Sequence, residues 1–257
     1  MKKLLLLICL IPAFTKGQEE THSFDNIKRR QKTINNAIIF SAFYDADFPV
    51  GVLRNRYGFI SNIGAQLAYR MRANWMIGAE GGFLYSAKTK EDPAAFVSTY
   101  EGPHITTNGD LTDIHPSLNG FSIFGFAGKI LPFHKDRNPG TGILIKIGLG
   151  YLQHKIYYNI NPQSLPQFDK NYRTGYDRLT GGAAVSVFAG IIRLERHKYL
   201  NLYFGPQFDL GFTQNMRSWD FAEKRKLDEK RVDMMIGIKL GWMVPVFLNK
   251  DNEEYYR

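Results

Sequence analysis

From Asn35 onward the chain is written in a period of two. In Tyr199 to Thr213, Leu200, Leu202, Phe204, Phe208, Leu210 and Phe212 fall on one face, while Asn201, Tyr203, Gly205, Gln207, Asp209 and Gly211 fall on the other. That alternation places successive side chains on opposite sides of a β-strand. In the last such segment, Val232, Met234, Ile236, Ile238, Leu240, Trp242 and Val244 alternate with Asp233, Met235, Gly237, Lys239, Gly241 and Met243. Phe59 to Arg70, Trp75 to Lys88 and Ile143 to His154 repeat the pattern. Asn36 to Phe48, Gly120 to Phe133 and Leu179 to Arg193 carry Ala, Phe or Val on both faces, but have strand length and sit between turn signals. The pattern predicts an all-β fold of eight strands, with six or ten as the alternatives.

The connections alternate in length. Met71 to Asn74, His134 to Thr141 and Leu194 to Lys198 are short; Asp45 to Tyr57, Thr89 to Asn119, Tyr158 to Asp177 and Gln214 to Lys230 are long. Short turns and long loops therefore fall at opposite ends of an antiparallel sheet, as in transmembrane barrels with short periplasmic turns and longer extracellular loops.

Which face points outward is a question of volume. Eight strands close around an interior only just wide enough to be filled by side chains. Packing every Leu, Ile, Phe, Tyr and Trp face inside would overfill it, whereas the opposite face, rich in Gly with scattered polar residues, suits a narrow lumen. The apolar face is thus expected to meet lipid, with a soluble lipocalin-like barrel or a sandwich as the competing arrangement. Aromatic residues gather near strand ends as an interfacial girdle requires: Tyr69, Trp75, Phe133 and Trp242 at the short-turn end, Tyr44, Tyr85, Tyr151 and Phe212 at the long-loop end. The inward Arg70, Glu80, Lys146, Asp209, Asp233 and Lys239 are expected to pair as a lumen polar network, because unpaired charges in a narrow interior are costly.

The start of the chain adds a compartment. Lys2 and Lys3, the apolar run Leu4 to Ile11 and the closing Thr15-Lys16-Gly17 have the anatomy of a secretory signal, so residues 1–17 are expected to be cleaved. The expected organisation is then a periplasmic lead-in over 18–34, an antiparallel transmembrane β-barrel over 35–247 and a periplasmic tail over 248–257. The one cysteine, Cys9, lies inside the signal, which leaves neither a disulfide nor a thiolate nucleophile afterwards. Loss of Lys2, Lys3 and Lys16 leaves 30 Lys and Arg against 24 Asp and Glu, or +6, a mild surplus suited to anionic head groups such as those of lipopolysaccharide. With 24 Gly, 14 Tyr and 19 Phe among 257 residues, composition favours strands over helices. No cluster of basic and aromatic residues has the form of a nucleic-acid motif.

In architecture and style, over about Asn35 to Phe247, the chain resembles the small outer-membrane β-barrels of Gram-negative bacteria, most closely in its Tyr- and Phe-rich strands and charged tail those of the Bacteroidota. No diagnostic motif carries functional residues across. The resemblance implies an outer-membrane location with both termini periplasmic, and a place in an envelope assembly or secretion complex, the type IX apparatus of that group included. It departs from those barrels in following the last strand with Asn249 to Arg257 rather than ending on an aromatic residue.

Chemistry is sparse. The six histidines are dispersed; Asp110, Asp113 and His115 offer a cation only proximity, and Ser86 and His154, near the outer ends of two strands, have no signature linking them for lipid-acyl chemistry. The glycine pairs lie in strands, outside the strand-to-helix setting of a phosphate loop. No cofactor, metal or catalytic residue is expected. Partner contacts are expected at Trp219 and Phe221, embedded in the charged Gln214 to Arg231 segment and covered by an envelope protein or by the Thr89 to Asn119 loop, and at Lys28, Arg29 and Arg30 in the lead-in. The expected role is a non-enzymatic scaffold; a narrow channel and a lipid-modifying enzyme are the alternatives.

Overall fold

In a computed structural model, the described residues are 36–87, 89–93, 104–106, 108–112, 114–134, 138–159, 170–195 and 200–248. The expected signal, the expected lead-in with Lys28, Arg29 and Arg30, and the residues after Leu248 lie outside them. In chain order the elements are β1 (Ala37–Val50), α1 (Val52–Arg56), β2 (Ile60–Arg70), β3 (Trp75–Ser86), β4 (His104–Ile105), β5 (Leu111–Thr112), β6 (Pro116–His134), β7 (Asn138–Tyr158), α2 (Lys170–Arg173), β8 (Thr180–Arg193), β9 (Asn201–Asn215) and β10 (Lys230–Phe247). Eight of these strands close into an antiparallel barrel in the order β1-β10-β9-β8-β7-β6-β3-β2, while β4 and β5 form a two-stranded ribbon within the β3–β6 loop. Closure is made by β1 against β10, from Ala37 opposite Phe247 to Val50 opposite Met234. No sheet edge is left in the ring, so every strand finds a backbone partner on both sides.

The alternation holds around the ring. Phe40, Ile63, Leu67, Ile77, Phe83, Ile123, Ile147, Leu149, Phe204, Phe212, Ile238 and Trp242 are among the exposed outward residues; Asn62, Gln66, Glu80, Lys146, Asp209 and Lys239 are among the buried inward ones. The fold is that of an eight-stranded outer-membrane-type barrel, its surface more apolar than its centre.

Two strands run past their sequence limits. β6 and β7 reach back to Pro116 and on to Tyr158, pairing Ser117 with Tyr157 and Asn119 with Lys155. These residues break the apolar alternation, yet the backbone ladder continues once the hairpin register is set. Strands of 19 and 21 residues are longer than the roughly 9–11 that a membrane crossing needs. The lumen also holds more hydrocarbon than the Gly-rich inward pattern suggests. Toward the long loops Leu84, Leu118, Phe124, Leu152 and Met235 form one buried cluster; toward the short turns Ile39, Met76, Phe126, Ile130, Leu144, Phe188 and Met243 form another. The strands with apolar residues on both faces are the ones that supply these inward phenylalanines.

Candidate functional site: the filled lumen and the loop-side cap

Between the two apolar clusters sits a charged layer. Glu80 Oε2 accepts from Lys146 Nζ at 2.9 Å and its Oε1 from Lys239 Nζ at 2.9 Å. Lys146 also donates to Gln66 Oε1 at 2.8 Å; Lys239 lies 3.4 Å from Asp45 Oδ2, which accepts from Asn62 Nδ2 at 3.1 Å. The register explains the convergence, since Asp45 stands opposite both Lys239 and Asn62, and Gln66 opposite Glu80. Aromatic faces complete the ammonium surroundings: Phe43 lies 4.2 Å from Lys239, and Phe126, Phe188 and Tyr203 lie within 5.1 Å of Lys146. Gly241 gives the Tyr203 ring its place, because a Cβ there would come within 2.1 Å of it.

Not every inward charge joins this layer. Arg70 sits at the short-turn end, donating to Asn74 Oδ1 at 2.6 Å and the Pro139 carbonyl at 3.2 Å. Asp209 accepts from Gln207 Nε2. Asp233 belongs to a separate group near the long loops, with His154 Nε2 at 3.0 Å and Thr213 Oγ1 at 2.5 Å. Tyr57 stands 3.4 Å from the other ring nitrogen of His154, and burial pushes its phenol up to about 12, so it acts as a hydroxyl. A carboxylate can only accept, which fixes the Nε2–H toward Asp233 and leaves Nδ1 facing Tyr57. Neither ring nitrogen of His154 meets a serine, so the Ser86 and His154 pairing is not formed.

Above this group, segments from all four long connections are tied together. Glu91, in the β3–β6 loop, is held by Arg56 of α1 and by Arg178 before β8. Arg178 also binds Asp220 Oδ2 at 2.9 Å and Glu223 Oε1 at 3.4 Å, both in the β9–β10 loop. Arg217 grips Asp177 with two nitrogens, and that paired carboxylate raises its guanidinium above the usual range. Tyr158 donates to Asp92 Oδ1 at 3.1 Å. Leu53 and Tyr57 are fully buried beneath this cap. Arg178 is its hub, and no local pattern marks it, because its partners lie 42 to 87 positions away.

Trp219 and Phe221 separate. Phe221 packs edge-on against Tyr176 at 5.3 Å, its ring lies over Gly175, and its N–H donates to the Gly175 carbonyl at 3.0 Å. Among the described residues, the ones that cover it come from the segment before β8. Trp219 keeps 50% of its surface exposed. Asp113 lies outside the described residues; Asp110 and His115 are exposed, and among the described residues no three His, Cys, Asp or Glu side chains are grouped to hold a metal ion.

No protein-family model and no curated protein matches the chain. Among solved structures it is similar to neisserial surface protein A (10% identity, 80% of this chain and 96% of that one, TM-score 0.42). It is also similar to Ail, the attachment invasion locus protein of Yersinia pestis (12% identity, 82% and 99%, TM-score 0.36), and to OprG from Pseudomonas aeruginosa (9%, 82% and 97%, TM-score 0.35). At such identities and scores these likenesses carry no argument; the barrel rests on its own closed ring of strands.

Proposed function

We propose that the chain is an integral barrel of the bacterial outer membrane and a non-enzymatic, partner-binding component of an envelope assembly. The membrane reading is supported by the outward belt, in which large apolar side chains are exposed on every strand of the ring, a surface that water disfavours and hydrocarbon accepts. The start of β1 and the end of β10 lie with the short turns, which supports periplasmic termini, because short turns are the periplasmic ones in such barrels.

The observation that carries the binding role is the contrast between the braced cap and the half-exposed indole on it. Charge pairs and buried aromatic residues hold the long connections together, which reduces the ordering cost of docking. Trp219 is one of the large apolar side chains this end leaves open, with Val52, Tyr172 and Met216, and among them tryptophan is the residue type most enriched at interface anchors. The test is Trp219→Ala, with partner recovery measured after mild solubilisation of native outer membranes. Recovery is expected to fall at least about tenfold, near 1.4 kcal/mol, with the gel mobility of the unboiled barrel unchanged. Equal recovery of the same partners by both proteins would mean a solitary barrel or a different docking face. Phe221 is left intact, because its truncation would open the cap itself.

A further inference from the structure

Among the described residues the apolar belt has a recess. Where β1, β2, β3 and β6 face outward, the cross-strand row reads Trp242, Ala42, Ala65, Gly81, Ile123, and the next row toward the short turns reads Val244, Phe40, Leu67, Ala79, Gly125. Ala42, Ala65, Ala79 and Gly81 form the floor of a groove of about 530 Å³, walled by Phe40, Leu67, Ile123, Trp242 and Val244, with Gly125 beside it across the ladder from Ala79. Toward the short turns the outward residues of β6 stay small through Gly125 and Ala127 and reach an exposed cation, Lys129, ahead of Leu131 and Phe133. Its ammonium lies 5.0 Å from the Trp75 ring, directly across the ladder. Among the described residues no carboxylate pairs with it.

We propose that this groove and the Lys129–Trp75 pair form a binding site for one anionic phospholipid, an acyl chain in the groove and the phosphate on Lys129. The inference rests on the membrane reading above. Length and charge both select this occupant. From Gly81 and Ile123 to Trp75 and Lys129 the paired strands advance six residues, about 20 Å at roughly 3.3 Å per residue. At a strand tilt of about 40° that is some 15 Å along the membrane normal, half of a hydrocarbon core of about 30 Å. The cation thus sits where the head group of a lipid in one leaflet lies when its chain reaches the groove. A lysine held over an indole at an interface is placed for a phosphate rather than for a protein backbone.

The test uses the full chain in detergent micelles, with phosphatidylglycerol or phosphatidylcholine added and retained lipid counted by native mass spectrometry. Two variants report on the two halves of the site. Lys129→Gln removes the charge. Gly81→Leu with Gly125→Leu fills the groove, and the fold admits it, since a Cβ at either position meets nothing closer than 3.7 Å. The native protein is expected to retain one phosphatidylglycerol at least fivefold more often than phosphatidylcholine. Lys129→Gln is expected to erase that preference, and the groove-filling variant to lose the lipid altogether. Retention unaffected by both variants overturns the site, as does a groove-filling variant that loses a dimer while keeping lipid, since the occupant is then a second copy. Insertion into vesicles and unboiled gel mobility are measured in parallel. Failure of insertion would sink the membrane reading and this site with it, whereas insertion without selective lipid would sink the site alone.

Discussion

Glu80→Gln tests the lumen directly, because it removes one charge with almost no change of shape. Glu80 accepts from two ammonium groups at 2.9 Å each, and the side chains of Glu80, Lys146 and Lys239 are 5%, 4% and 0% exposed. Removing one partner of a buried ion pair costs about 3–5 kcal/mol, since the remaining charge stays out of water without compensation. Here two cations lose the same acceptor, which argues for the upper end. Part of the loss is offset: the Gln oxygen still accepts one hydrogen bond, Lys239 keeps Asp45, and Lys146 keeps Gln66 and three aromatic rings. The expected destabilisation is therefore about 3 kcal/mol. It is read as a shift in urea unfolding in lipid vesicles, followed by tryptophan fluorescence and by the mobility of unboiled samples. Adding Lys146→Met to Glu80→Gln takes away one stranded cation and is expected to recover at least half of the loss, because replacing a buried pair by apolar groups is often neutral. A single variant within about 1 kcal/mol of the native protein, or a double variant less stable than the single, would refute a lumen held by these charges.

Two further outcomes follow from the same geometry. Arg178→Ala frees Glu91, Asp220 and Glu223 from their common partner, and is expected to raise protease cleavage in the long loops about tenfold or more while the barrel keeps its unboiled mobility; unchanged cleavage would mean the cap does not depend on this hub. In planar bilayers the native protein is expected to give no steady single-channel steps, because side chains from both apolar clusters and the charged layer occupy the lumen. Reproducible steps would favour the channel alternative.

Period-two alternation was enough to place the eight strands of the ring, their inward and outward faces and the separation of short turns from long loops, though not the full length of β6 and β7. Alternation is a local property, set by the backbone pleat, so Leu200 to Phe212 declare their face without reference to any neighbour. The same locality makes Glu80 and Lys239 legible as inward residues. What they bind is not local: their contact spans 159 positions and exists only because closure brings β10 beside β1 and across the lumen from β3. Arg70 and Asp233 had the same inward signature, yet barrel height, which no alternation encodes, put one beside Asn74 and the other beside His154. The cap lay furthest from the sequence, because the long connections lack a period and their order comes from contacts among loops that meet only at one end of a closed barrel. So Phe221 and Trp219, two positions apart in one charged segment, parted: the first found Tyr176 and Gly175, and the second was left facing outward.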